Sequence, residues 1–193
     1  MSSSPTPAAD RGGLLRRSRP LLVVAFFVCL FVLAKVLGWS RLVSPDELRP
    51  LIGEAGWLGP VVYVGVFLVG LTAQLPGVLF VPLAALFFDP WMGWLTVMVA
   101  ANVGTGFNFW LLRRLGGQPL TEVERPWLRR VLGQLQARPL RSVFLIRLVL
   151  IMLPLATAAL AFSPVTGRQH TLGSLLGLAL PVSVMFWVAS LAL

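Results

Sequence analysis

The chain has 193 residues, of which 57% are hydrophobic and only 12% are charged, and its mean hydropathy is +0.85. A soluble domain carries about 25% charged residues to keep its surface in water, so this composition excludes a soluble globule and predicts an integral membrane protein. The net charge is +9, and the arginines stand at the ends of apolar runs, so we expect anionic lipid headgroups and not nucleic acid as partners.

The first two predicted elements are a polar tail and a membrane span. Residues 1–20 are basic and rich in Pro, Ser and Gly, which is typical of a disordered cytoplasmic tail. The apolar run Leu21–Trp39 follows, and about 20 apolar residues suffice to cross a ~30 Å hydrocarbon core. Lys35 can extend to the interface from within that run. No small-x-small cleavage site follows, so we predict a retained transmembrane helix, with residues 40–193 as the membrane domain.

A short interfacial helix is predicted within residues 40–56. Ser44 is a good N-cap residue, and Pro45 fits the first helical position. Glu47 stands three residues after Ser44, which is the pattern of a capping box. These residues therefore predict where the helix begins.

The next apolar run, Trp57–Phe88, is too long for one transmembrane helix and short for two, since one span takes about 20 residues. Its middle carries Thr72, Gln74, Pro76 and Gly77. Proline lacks an amide hydrogen and glycine allows unusual backbone angles, so the chain can turn there. No charged residue marks the turn. We therefore predict a re-entrant helical hairpin whose tip is buried in protein or faces a cavity.

A single span and a second interrupted run follow. Gly93–Leu112 is long enough to cross the membrane, and its small and amide residues suit close helix packing: Asn102, Gly104, Thr105, Gly106 and Asn108. Residues 113–141 contain seven Arg and two Glu, with apolar residues at helical spacing, which predicts an amphipathic interfacial helix over 125–137. Ser142–Val165 is apolar except for Arg147 and is interrupted by Pro154, so we predict a second hairpin.

The last predicted elements are a polar stretch, Thr166–Thr171, and a final span, Leu172–Leu193. With both basic segments cytoplasmic, as the positive-inside rule prefers, the two hairpins enter from opposite sides. The predicted fold is an all-α integral membrane protein. It is an inverted repeat of two re-entrant helical hairpins, each followed by a transmembrane helix. One N-terminal transmembrane helix precedes the whole repeat. Such repeats form binding sites near the midplane. The alternative is a bundle of plain spans in which the prolines only kink helices.

Arg147 is the most informative single residue. An arginine within an apolar run costs several kcal/mol, so it usually faces a cavity or a partner, and its planar fork suits a phosphate. Alternatively it extends to an interface near Arg141. Asp89 can pair with an arginine or carry a proton, or it can be ordinary turn chemistry before Pro90. Thr72 and Gln74 can bind a headgroup, or they can satisfy the broken backbone.

The sequence gives little support for an enzyme, a cofactor or a metal site. Cys29 is the single cysteine and His170 the single histidine, which is too few for a metal cluster or for the histidine chemistry of a lipid phosphatase. Clustered carboxylates and Gly-rich phosphate loops are absent from the sequence, so we expect no metal-dependent phosphotransfer.

Four loose motifs span residues 48–193. They are Leu75-Pro76-Gly77 with the small residues up to Gly93; Gly104 with Phe109–Gly116; Leu145–Leu148 with Pro154; and Gly173, Gly177 and Pro181. Together they resemble the DedA/VTT-domain superfamily, also called the SNARE-associated Golgi protein family, and most closely its TVP38-like branch.

This resemblance implies two opposed re-entrant hairpins and a role in moving lipids. Arg147 falls on the family's phosphate-contacting arginine, and Arg113 on the arginine of its first repeat. The sequence departs from the family pattern at Ala84 and Leu150, and it lacks the acidic residues of the first hairpin. The missing acidic residues argue against proton-driven coupling. The predicted substrate-binding residues are Arg147, Arg113, Gln74, Thr72, Pro76, Gly77, Pro154 and Asp89.

We therefore expect a multi-pass protein of the bacterial inner membrane with a cytoplasmic N-terminus. Its expected function is translocation of a phosphate-bearing lipid, such as a polyprenyl phosphate or a phospholipid. A transporter for a small solute or ion, and a membrane organiser that transports nothing, are the alternatives. Self-association into a homo-oligomer is left open.

Overall fold

The computed structural model describes Cys29, Val32, Val36, residues 44–116, Gly133, Leu135 and residues 137–193. Across these residues every regular element is a helix and none is a strand, which confirms the predicted all-α class. The predicted tail over 1–20 lies outside the described residues. The first span over 21–39 and the amphipathic helix over 125–137 lie outside them except for a few positions.

The helices over the two continuous stretches are α1 Pro45–Gly53, α2 Gly59–Thr72, α3 Val81–Phe87, α4 Pro90–Gly116, α5 Pro139–Leu150, α6 Pro154–Ala161 and α7 Gly167–Ala192, with short 3-10 turns at Gly56–Leu58 and Gly77–Leu79. Within the described part of the chain, α4 and α7 are long and apolar enough to cross a membrane, with mean hydropathy 1.4 and 2.1. At about 1.5 Å per residue each is roughly 40 Å long.

Local sequence signals explain where helices begin. Ser44 caps α1 and its hydroxyl accepts a hydrogen bond from the Glu47 amide at 3.4 Å, which confirms the predicted start. The helix α7 begins earlier than predicted, because Thr166 and Gln169 form a reciprocal capping box. The expected polar stretch over Thr166–Thr171 is therefore wrong: its residues form the N-cap and first turn of α7.

The two long helices run antiparallel against each other. Near one end, the Trp94 indole Nε1 donates to the Ser183 hydroxyl at 2.8 Å. Near the other end, the rings of Phe109 and His170 stack with their centroids 4.2 Å apart. Because the residue order reverses between the two contacts, α4 and α7 point in opposite directions.

The helix α2 starts beside the start of α4, and the helix α3 ends there. Tyr63, in the first turns of α2, contacts Phe88 edge to face at 5.7 Å between ring centroids, just before α4 begins. Leu71, at the other end of α2, lies against Gly104, near the middle of α4. The helix α2 therefore runs alongside the first half of α4, and α3 returns to the end where α2 started.

We call α2–α4 the first unit and α5–α7 the second unit. The second unit packs in the same way, but its short helices lie at the opposite end. Leu140, at the start of α5, lies against Gly173 near the start of α7, and Arg147 lies against Gly177 further along. The helix α6 then returns to the starting end, where Phe162 contacts Gly116 at the end of α4. The packing is reciprocal, since α3 also packs on α7 and α6 packs on α4.

Charge separates the two ends of the molecule. The arginines at the end where α4 finishes and α7 begins are Arg113, Arg114, Arg138, Arg141 and Arg168, and we call it the basic end. The opposite end, which we call the acidic end, carries Arg49 and the described acidic residues, which are Asp46, Glu47, Glu54 and Asp89. The hydrophobic core has two clusters: a larger one around Phe67, Phe80 and Phe186 towards the acidic end, and a smaller one around Phe109, Val143 and Leu160 towards the basic end.

Candidate functional site

The site forms where two turns meet. We call residues 73–76 the first turn and residues 151–153 the second turn; they follow α2 and α5 respectively. Gly77 packs directly against the second turn, since a Cβ at this position would lie 3.0 Å from the Cβ of Met152. A side chain at this position would push Met152 away by a few tenths of an ångström, so glycine favours the close contact between Gly77 and the second turn.

Each turn bends through a non-glycine residue with positive φ. Gln74 has φ 63°, and the amide of Leu75 donates to the Gly70 carbonyl at 3.0 Å, a standard way to end a helix such as α2. Ile151 has φ 47°, in a turn closed by a hydrogen bond from the Leu153 amide. A β-branched residue is strained in this region, by about 1–3 kcal/mol.

Arg147 of α5 points into the space behind the second turn and is 0% exposed. Its NH1 group donates to the Ile151 carbonyl at 3.2 Å and to the Thr157 hydroxyl at 3.1 Å. The guanidinium therefore ties the strained residue of the second turn to α6.

The rest of the Arg147 guanidinium faces α7. Its Nε donates to the Ser174 hydroxyl at 3.1 Å, and NH2 lies 2.9 Å from Nε2 of His170. Because arginine can only donate, His170 Nε2 must accept, so the imidazole is neutral with its hydrogen on Nδ1. That Nδ1 is buried and has no partner among the described residues. The buried cation is thus surrounded by uncharged acceptors.

Arg113 lies on the other side of the aromatic pair. Its guanidinium stacks over the Phe109 ring at 4.5 Å, and the opposite stacking partner of that ring is His170. Its Nε and NH1 donate to the carbonyls of Ala161 at 3.0 Å and Val165 at 2.7 Å, and NH2 donates to the Ser163 carbonyl. Arg113 therefore caps the carboxyl end of α6, where free carbonyls favour a cation.

A narrow pocket lies between the turns and α4. Its cavity volume is about 10 Å³, roughly the space that one water molecule needs. The residues that line it include Leu71, Gln74, Thr105, Asn108, Met152 and Thr157. Thr157 separates the pocket from the Arg147 guanidinium. The described residues contain no group of three or more His, Cys, Asp and Glu that could hold a metal ion.

The structure brings most of the predicted site residues together. Gln74 and Pro154 line the pocket. Pro76 ends the first turn, and Gly77 follows it and lies beside Met152. Thr72 uses its hydroxyl within α2, on the Leu68 carbonyl at 2.8 Å. Asp89 does not join the group: it is exposed at the start of α4, while Arg113 stands near the end of the same helix.

Several residues of the site were not predicted from the sequence. They are Thr157, His170 and Ser174, all of which contact Arg147. His170 was expected in a polar stretch but is 1% exposed within α7. A signal for it exists, because the Thr166–Gln169 capping box begins the helix and residues four apart share a helix face. On that reading His170 and Ser174 face the same neighbour.

Comparison with known proteins gives one match. The model of the VTT domain matches residues 75–191, which is more than half of the chain and extends from the end of the first turn through the second unit. Searches of the curated proteins and of the solved structures found no match. The TVP38-like branch stays a prediction. On this match, and with two apolar helices long enough to cross a bilayer, the chain is a membrane protein that belongs to the VTT-domain family, the DedA/SNARE-associated Golgi superfamily.

Proposed function

We propose that this protein moves a phosphate-bearing lipid across the bilayer, with Arg147 binding the phosphate. The observation that carries the proposal is a guanidinium with 0% exposure, at the meeting of two turns, whose acceptors are all uncharged. A cation is costly to bury without an opposite charge. Its retention inside a membrane domain is explained if a mobile anion supplies that charge.

The proposal includes the topology of the two units. The helices α2 and α3 have 14 and 7 residues, which at about 1.5 Å per residue gives roughly 21 and 11 Å, too short to cross a ~30 Å core. We therefore propose that both units contain re-entrant hairpins that enter from opposite faces. The basic end faces the cytoplasm of a bacterial inner membrane, with the N-terminus on the same side.

In this mechanism the headgroup passes between the two turns while the hydrocarbon tail stays in lipid. The phosphate replaces neutral acceptors on the Arg147 guanidinium, because a charge-assisted hydrogen bond is about twice as strong as a neutral one. The Ile151 carbonyl is one of the acceptors it replaces. Its release would let the strained second turn move, and the pocket would open towards the other face.

The test is lipid movement in proteoliposomes, with a fluorescent phospholipid and a fluorescent polyprenyl phosphate as substrates. Arg147→Gln should reduce movement by about 100-fold or more, since it removes a charge-assisted bidentate contact. Arg147→Lys keeps the charge but not the planar fork, and should retain partial activity. The matched control is Arg141→Gln, an exposed residue of the same helix, which should move lipid like the wild type.

Thermal unfolding in detergent is measured for each variant, because Arg147 is buried and its replacement can also destabilise the protein. If folded Arg147→Gln protein moves lipid at the wild-type rate, the proposal that Arg147 binds the phosphate is refuted. Failure of the folded wild type to move either lipid would refute translocation and favour a small-solute transporter or a membrane organiser.

A further inference from the structure

One wall of the pocket carries an acceptor that nothing in the described protein satisfies. Asn108 of α4 is 4% exposed, and its Oδ1 is buried with no hydrogen-bond partner among the described residues. The same residue lines the pocket between the turns. A buried acceptor without a donor is destabilising, so Oδ1 is suited to receive a hydrogen bond from a bound group.

The orientation of the Asn108 amide follows from its other hydrogen bond. Its Nδ2 donates to the Gly104 carbonyl at 3.2 Å. Rotating the amide by half a turn would set Oδ1 against that carbonyl, one acceptor against another, so the oxygen is the atom left for the pocket. The neighbouring Thr105 hydroxyl donates to the Ala101 carbonyl at 2.7 Å. The α4 wall therefore offers acceptors.

The opposite wall offers donors. The Thr157 hydroxyl oxygen accepts from Arg147 NH1 at 3.1 Å, which leaves the hydroxyl hydrogen as the group that Thr157 can present to the pocket. The positive charge of Arg147 stands directly behind it. The pocket is thus polarised, with a donating, positive side at α5 and α6 and an accepting side at α4.

We infer that this pocket, once movement of the second turn has opened it, binds the headgroup of a lipid that carries a hydrogen-bond donor, a hydroxyl or a primary ammonium, next to its phosphate. The inference rests on the proposed function. The phosphate faces Arg147 and Thr157, and the donor binds Asn108 Oδ1. A quaternary ammonium has no N–H and leaves Asn108 unpaired. Sites built to hydrogen-bond a substrate group reject analogues that lack it far more strongly than apolar pockets do.

The test compares phospholipids with glycerol, ethanolamine and choline headgroups, each labelled on an acyl chain so that the headgroup stays intact. In wild-type proteoliposomes the first two should move about tenfold faster than the choline lipid. The relative rates of the glycerol and ethanolamine lipids separate a hydroxyl from an ammonium. Asn108→Leu, with a side chain of similar size and no acceptor, should move all three lipids at similar rates.

Asn102→Leu is the matched control. Asn102 lies on the same helix, its Nδ2 donates to the Met98 carbonyl at 2.9 Å, and its Oδ1 is also unpaired. However, it does not line the pocket, so this variant should keep the preference among headgroups. Thermal unfolding of both variants checks that they are folded.

Three outcomes would overturn the inference: equal rates for the three lipids in the wild type, a preference that survives in folded Asn108→Leu, or a preference lost equally in Asn102→Leu. If the wild type moves all three lipids equally but Arg147→Gln stops them, this inference fails and the proposed function stands. If the folded wild type moves none of them, this inference fails, and the proposed function fails with it only if the polyprenyl phosphate is not moved either.

Discussion

Arg113 and Arg147 have different surroundings, although the sequence analysis predicted that both bind the substrate. The Arg147 guanidinium donates its hydrogen bonds to side chains and to one turn carbonyl. A phosphate can replace these acceptors. Arg113 instead binds three backbone carbonyls at the end of α6. Its guanidinium thus fastens α4 to the second unit. We interpret Arg113 as a positioning residue, one that acts on the site by holding α6.

This interpretation predicts a loss of stability when Arg113 is replaced. Arg113→Gln should lower the free energy of unfolding by about 2–3 kcal/mol, because hydrogen bonds from a charged donor are lost and the carbonyls are left unpaired. The control is Arg114→Gln. Arg114 is exposed and stacks on Trp110 at 5.0 Å, so its loss should cost less than about 1 kcal/mol. Thermal unfolding in detergent measures both, and equal losses would contradict the assigned role.

At the scale of the elements, the contact between α5 and α7 sets where Arg147 lies. Gly173 and Gly177 form the surface of α7 on which α5 rests, and a Cβ at Gly177 would lie 2.7 Å from the Cβ of Arg147. Another 2.7 Å approach, to the Phe144 carbonyl oxygen, involves backbone that cannot move aside cheaply. The two helices can therefore approach this closely only with glycine at this position.

Gly177→Ala should accordingly destabilise the protein by about 1–3 kcal/mol, since an added methyl group overpacks the contact. It should also reduce lipid movement, because α5 carries Arg147 away from Ser174 and His170. Gly106→Ala on α4 is the matched control: nothing lies within 4 Å of its added Cβ, so stability should be unchanged or rise by up to about 1 kcal/mol. Thermal unfolding and the transport assay are the measurements, and a Gly177→Ala protein as stable as Gly106→Ala would contradict the packing argument.

At the scale of the whole molecule, the two units differ in which end they start from. The first unit begins and returns at the acidic end, and the second begins and returns at the basic end. Both turns reach the middle, where Gly77 meets Met152. The reciprocal packing of each short helix on the long helix of the other unit makes the two halves one structure.

This arrangement predicts a labelling pattern for single cysteines in a Cys29→Ser background. Cysteines at Glu54 and Asp89 should react with a membrane-impermeant thiol reagent from one face, and those at Arg138 and Arg168 from the other, since all four side chains are exposed at the two ends. Each pair brackets the two short helices of one unit.

The decisive positions are the exposed tip residues Leu79 and Leu153. If the hairpins are re-entrant, cysteines at these positions react poorly from both faces, because the tips lie at membrane depth. Rapid labelling of either tip from the face opposite to its own hairpin ends would instead support a bundle of plain spans. Detergent-solubilised protein, in which every position is open to the reagent, shows that each cysteine is reactive.

Much of the fold follows from local sequence signals. Ser44 marks the start of α1. Pro76 at the end of the first turn and Pro154 at the start of α6 mark where the apolar runs break, because a cap or a missing amide acts within one turn of helix. Composition alone predicts a membrane protein. Arg147 stood out because a charge in an apolar run is expensive wherever that run packs.

Tertiary structure decided which residues surround that charge. Ser174 lies 27 residues from Arg147 and His170 lies 23, and the carbonyls that bind Arg113 are 48 to 52 residues away. No periodicity or motif within a segment fixes such pairs. They depend on how closely the helices approach each other, which is set by glycines on the contacting faces.

Asn108 shows the same limit most clearly. From the sequence it reads as a small polar residue suited to helix packing, and its amide nitrogen does bond within α4. Its oxygen becomes an unpaired acceptor on the wall of a pocket only because of where the two turns lie. The sequence by itself determined the class, the breaks and the presence of a cation within an apolar run. The partners of that cation and the pocket beside it were decided by packing, because hydrogen-bond partners are chosen in space and not along the chain.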